Sequence, residues 1–172
     1  MVELFSLFFI LFGAFYSFTL ISQTKIFQCN EYGQKNYYPS MIIKGGKVFE
    51  CNAMGQISIR PTYFVVQNKI FRTNQYGQKE FRPYMILKEG KVYDCDEWGR
   101  ESSYARANLI GKNLYICNEW GSNLPFPSII FDQQKIHICD EWGNKSFYPS
   151  LVIDGSISKA ELYFVLDRNS LY

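Results

Sequence analysis

Five cysteines set at multiples of 22 residues, a single histidine, and a glutamate that recurs beside an aromatic ring are the side chains through which this chain could do chemistry. Cys29, Cys51, Cys95, Cys117 and Cys139 suggest a disulfide framework or a metal site. Structural zinc sites use close CxxC pairs, which this sequence lacks, and His137 is the only histidine to assist. Covalent or acid-base catalysis needs a nucleophile, a base and a group that orients the base. His137 falls in a column otherwise filled by Phe27, Phe49, Phe71, Tyr93 and Tyr115, so it reads as a packed ring. Glu31, Glu97, Glu119 and Glu141 recur once per turn, which gives a solvated ladder and not two carboxylates converging in a pocket. The glycines are too far apart for a phosphate loop. The expectation is a chain with no catalytic site, no cofactor and no metal.

The column Tyr32, Met54, Tyr76, Trp98, Trp120 and Trp142 is different in kind, because repeated rings can stack sugars or cationic head groups. Tyr32, Tyr76, Trp98, Trp120 and Trp142 are the candidate ligand-stacking residues. The alternative is that the rings only cover the tip of each hairpin and lock its twist.

What positions these residues is an internal repeat. Six units of 22 residues run without insertion from Lys25 to Ser156, as in KIFQCNEYGQKNYYPSMIIKGG and KVYDCDEWGRESSYARANLIGK. The second column is always Val, Ile or Leu, the fifth is Cys in five units with Thr73 in the third, the sixth is Asn or Asp, and the ninth is Gly. An Asn or Asp followed three residues later by Gly suits a type I turn whose last residue enters the left-handed region. Each unit also ends in turn chemistry such as Gly45-Gly46 or Gln67-Asn68, so two strands per unit follow. In the fourth unit these would run from Lys91 to Cys95 and from about Arg100 to Ile110. Pro39, Pro61, Pro83, Pro127 and Pro149 share one column, with Ala105 as the exception, and should mark a bend in the second strand. The varied fourth column, Gln28, Glu50, Arg72, Asp94, Ile116 and Ile138, reads as an outer face offered to a partner.

The aromatic content of 18% favours an all-β fold. A β-solenoid with three strands per coil would stack Lys25, Lys47, Lys69 and Lys91 about 4.8 Å apart, a ladder of like charge, whereas hairpins double that spacing to about 9.6 Å. The expected architecture is therefore an open array of tandem hairpins; the coil solenoid and a closed ring remain as alternatives. Cysteines of successive hairpins would lie about 10 Å apart, beyond the ~7 Å limit for a disulfide, which makes each thiol a small core residue. Residues 157–172 break the repeat and read as a cap, with Leu162–Leu166 as a last strand. Unpaired edges at either end of such an array would allow end-to-end self-association.

Residues 1–24 stand apart. Leu4–Ile21 carries no charge and reads as a signal peptide or an N-terminal membrane anchor, which places the chain as secreted or extracytoplasmic and membrane-associated. The net charge of +2 is too small and scattered for a nucleic-acid footprint.

The hairpin period and an aromatic beside the turn Gly, with YDCDEWG at Tyr93–Gly99, resemble MORN-type repeats, although the closely spaced Gly-x-Gly pair of those repeats is absent and Cys and Pro columns are added. The chain is also loosely similar to choline-binding-type cell-wall repeats. Both resemblances imply scaffolding or surface binding, with an unknown protein or an envelope glycan as partner.

Overall fold

The structure is a computed structural model that describes residues 23–169; the Leu4–Ile21 run and its expected role as leader or anchor lie outside them. Twelve antiparallel strands follow one another around a sheet: β1 (Gln23–Gln28), β2 (Met41–Lys44), β3 (Lys47–Glu50), β4 (Tyr63–Val66), β5 (Lys69–Arg72), β6 (Met85–Lys88), β7 (Lys91–Asp94), β8 (Ala107–Ile110), β9 (Asn113–Ile116), β10 (Ile129–Asp132), β11 (Lys135–Ile138) and β12 (Leu151–Asp154). The meander of paired strands is the one the repeat predicts, but it is not open. β1 pairs with β12 through Lys25–Asp154, Ile26–Ile153, Phe27–Val152 and Gln28–Leu151, and the sheet closes into a barrel. The closed ring, second to the open array on sequence grounds, is the architecture. Closure pairs the two edges with each other, which removes the ground for end-to-end association through free strand edges.

The strands are also shorter than the spacing predicts. Strands of adjacent units join through two-residue turns, as at Gly45-Gly46 and Glu89-Gly90, whose first residues take φ of +56° and +50°. Within a unit, the Asn/Asp–Gly turn is followed by a single bridge, such as Cys95 with Glu101, and the chain then leaves the ladder until Ala107. The proline column lies in this excursion, and the residue after it rejoins the sheet: Ser40 N donates to Ile26 O, and Ser128 N to Leu114 O. A residue without an N–H falls where none is wanted. All six long loops therefore crowd one end of the barrel, and the short turns occupy the other.

Ile26, Val48, Ile70, Val92, Leu114 and Ile136, the invariant second column, point inward and are at most 2% exposed. They meet Met41, Met85, Ala107, Ile129 and Leu151 from the second strands. The lumen is filled by α1 (Lys159–Arg168), where sequence spacing had placed a last strand. Ser158 caps it: Glu161 N donates to Ser158 Oγ, and Ser158 N donates to Glu161 Oε2. Tyr163, Phe164, Val165 and Leu166 are consecutive and all at most 1% exposed. Four successive residues at 100° steps cover the whole circumference of a helix, so only a surrounding wall can bury them together. A closed sheet has no edge left to accept a thirteenth strand, and a ten-residue helix is about 15 Å long, matching four-residue strands of about 13 Å.

The fit is held at both ends. Near the short turns, Tyr163 Oη donates to Gly90 O at 2.5 Å and the Thr24 hydroxyl to Ser156 O. At the loop end, Arg168 pairs with Glu50 at 2.8 Å, Arg106 with Asp167 at 2.7 Å, and the Tyr84 hydroxyl donates to Asp167. The fourth column accordingly does not form an outer face: Glu50 and Gln28 meet the helix C-terminus from the lumen mouth, and Asp94 meets Arg106 at 3.2 Å.

Among the described residues no helix is long and apolar enough to cross a membrane. The four-residue strands also fall well short of the ~9–11 residues that a spanning strand needs.

Truncation of Leu166 to Ala should lower unfolding free energy by about 2–5 kcal/mol in guanidinium titration followed by tryptophan emission. A loss below about 1 kcal/mol would mean that the helix does not pack in the lumen.

Candidate functional site: the aromatic rim

Each loop opens with the same backbone device. In the fourth unit Asp96 Oδ1 accepts from Trp98 N at 2.9 Å and Arg100 N at 2.8 Å, and Gly99 N donates to Asp96 O at 2.9 Å. Asn30, Asn52, Asn74, Asn118 and Asp140 do the same in their units. This explains why the sixth column accepts Asn and Asp alike: one side-chain oxygen is what the turn uses. The Asp140 carboxyl is held below its ordinary range by the Asn144 side chain and by backbone N–H groups. The turn glycines take φ between +73° and +79°. A Cβ at Gly143 would also lie 3.0 Å from Phe126 Cβ and Pro127 Cδ, so the residue is small for contact as well as for conformation.

That contact shows how neighbouring units engage. The turn of each unit sits on the fourteenth column of the unit before it, and Gly33 of the first unit meets Tyr148 and Pro149 of the sixth. The candidate rings lie at these junctions. Trp120 meets Tyr104 edge to face at 6.3 Å, Trp142 meets Phe126 at 6.4 Å, and the Arg82 guanidinium lies 4.8 Å from the Trp98 ring while donating to Glu97 O at 2.6 Å. Trp98, Trp120 and Trp142 thus each rest against a residue of the unit before. Tyr32, Tyr76, Trp98, Trp120 and Trp142 nevertheless remain 58–66% exposed, leaving ring surface in solvent.

Two further columns join them that the sequence reading had placed in the second strand. Tyr37, Ile59, Phe81 and Phe147 are 87–98% exposed, and Tyr38, Tyr104, Phe126 and Tyr148 about half exposed. The signal available was the proline that follows them, since the residues before a proline column that leaves the ladder belong to a loop. Of nineteen exposed large apolar side chains among the described residues, sixteen lie on the six loops, with Val66, Ile110 and Ile138 as the exceptions. Grooves run between neighbouring loops. One of about 550 Å³ is lined by Tyr37, Tyr38, Pro39, Cys51 and Asn52, and its counterpart of about 350 Å³ by Pro125, Phe126, Pro127, Cys139 and Asp140.

The remaining candidates stay apart from one another. Cys29, Cys51, Cys95, Cys117 and Cys139 are half-buried free thiols, one per unit. Thr73, which stands in their place, donates to the carbonyls of Pro61 and Thr62, so the site accepts a small weak donor. His137 is buried in the ring column; Nδ1 donates to the Ser146 carbonyl at 2.9 Å, and Nε2 has no hydrogen-bond partner among the described residues. Lys35 and Lys79 lie over Phe27 and Phe71 in the same column, closing the outer wall. Glu31, Glu97, Glu119 and Glu141 are exposed, one per loop. No group of three His, Cys, Asp or Glu among the described residues is placed to hold a metal ion. Neither a family model nor a curated protein matches this chain.

Burial raises the pKa of all five thiols above its ordinary value, with Lys135 and Lys35 opposing the shift at Cys29 and nearby carboxylates adding to it at Cys95 and Cys139. A thiol with a raised folded pKa stays protonated where an exposed one ionises, so its stabilising contribution holds below the unfolded pKa and fades as pH rises through the folded one. Iodoacetamide should therefore label the folded chain more slowly than the unfolded chain near pH 8, and the gap should narrow above pH 9. Equal rates at pH 8 would contradict this placement of the thiols.

Proposed function

We propose that this chain is an exported or membrane-tethered, non-enzymatic repeat protein that acts as a binding scaffold, and that the loop-end aromatic rim is its binding surface. The observation that carries the reading is the segregation of exposed rings: sixteen of nineteen exposed large apolar side chains gather on one end of the barrel. Apolar surface concentrated in this way and left uncovered is characteristic of an interaction site, whereas singly scattered residues are ordinary. The loops carry Tyr and Trp, which give large rigid contact area at low entropic cost. The buried histidine, the protonated thiols and the dispersed glutamates support a role in binding and not in turnover. The resemblance to MORN-type repeats supports scaffolding, and the uncharged Leu4–Ile21 run supports an extracytoplasmic location.

A second reading rests on the three tryptophans. Trp98, Trp120 and Trp142 occupy successive units with exposed faces, a spacing suited to stacking on an extended envelope glycan.

The two readings separate experimentally. Replacement of Trp98, Trp120 and Trp142 by Ser should leave the thermal transition almost unchanged, because the rings are more than half exposed, while weakening capture of an envelope protein at least about tenfold. Unchanged capture by the triple variant would remove the rim from the account. These are the chain's only tryptophans, so their emission should shift on titration with cell-wall fragments if the partner is a glycan, and silence across a panel of fragments would eliminate that reading.

A further inference from the structure

The fold sorts charge that looks scattered along the chain. The first-column lysines Lys25, Lys47, Lys69, Lys91 and Lys135, together with Lys44, Lys88, Lys112 and Lys159, all fall beside the short turns or in the first turn of α1. With Lys145, which pairs with Asp132, ten cations thus face only five carboxylates at that end, Glu89, Glu101, Asp132, Asp154 and Glu161, while the other eight cations share the rest of the barrel with ten. The turn end carries a net charge of +5 and the remainder of the barrel −2. The register sets Lys44 directly opposite Lys47 and Lys88 opposite Lys91. Like charges in that relation weaken a ladder, and although Lys88 also reaches Glu101 at 2.5 Å, Lys44 and Lys47 have no ion-pair partner among the described residues.

The same end is where the uncharged run joins the barrel. Gln23 pairs with Lys44, so the chain leads from Ile21 into the sheet at the basic rim, two residues from the apolar run. A bilayer holding Leu4–Ile21 would lie against this surface. A single weak anchor gains most from a second electrostatic contact, since basic residues within a Debye length of anionic headgroups are attracted to them.

We propose that the turn end of the barrel docks on the anionic headgroups of the bilayer that holds Leu4–Ile21. The inference rests on the tethered form of the function given above. It places the aromatic rim on the far side of the barrel, facing away from the lipid.

The test uses the full chain added to preformed vesicles of phosphatidylcholine alone, or with about 30% phosphatidylglycerol, followed by flotation and lysine acetylation read by mass spectrometry. Each lysine is compared with itself between the two lipids. Lys44, Lys47, Lys91 and Lys135 should be acetylated at least about threefold more slowly on the anionic vesicles, with protection lost in about 0.5 M NaCl, while Lys35 and Lys79, over the Phe27 and Phe71 rings of the outer wall, should not change. Flotation with both lipids and equal acetylation would keep the tether and overturn the docking. Absence of flotation with either would overturn both. Equal protection by soluble polyphosphate, without any preference for anionic vesicles, would overturn the lipid assignment in favour of a soluble polyanion.

Discussion

Four residue pairs between β1 and β12 turn a row of repeats into a ring, and a ring of twelve strands encloses a lumen that apolar mass must fill. Interiors are packed to crystal-like density, and a gap forfeits both dispersion and transfer free energy. The six second-column residues line the wall but leave the axis vacant. Tyr163, Phe164, Val165 and Leu166 supply what is missing, and the polar ends of α1 are matched to polar positions on the wall, Gly90 at one mouth and Glu50, Tyr84 and Arg106 at the other. The segment after the last repeat is thus the core of the fold more than a cover for one end of it.

Closure also gives the molecule two unlike ends. Every connection between units is a two-residue turn and every connection within a unit is a long loop, so antiparallel pairing sends all the loops one way. The turn end collects lysine and the entry of the chain; the loop end collects rings and grooves. A flat row of hairpins with the same sequence would present these features as two parallel edges. The ring brings the sixth loop against the first, as Gly33 on Tyr148 shows.

Local features of the fold were legible in the sequence because each is decided within a few residues. The Asn/Asp–x–x–Gly turn, the short turn between units and the inward second column all follow from turn chemistry and alternation. Closure was not legible, because it depends on a small rotation per unit summed over six units, and no single column encodes it. The helix was missed for another reason. Leu162–Leu166 is an apolar run too short for period to separate helix from strand, and the Ser158-x-x-Glu161 box that could have decided it lies in a segment read only as the end of an array. The fourth column was misplaced by the same error, since without the helix there was nothing in the lumen for Glu50 or Gln28 to meet. Of the site, the ring beside the turn Gly can be read from the sequence in five of the six units, whereas Tyr37, Phe81 and Phe147 were hidden inside a strand drawn too long.

Everything in this account depends on the first and sixth units being neighbours, and a distance between them tests that most directly. Spin labels at positions 32 and 148, in a background where the five cysteines are replaced by Thr on the precedent of Thr73, would be read by pulsed dipolar spectroscopy. The ring predicts the same short separation as labels at positions 38 and 54, which span an ordinary junction between adjacent units. A separation near 50 Å, as expected for about five hairpins in a row, would contradict closure and, with it, the junction of the first and sixth loops.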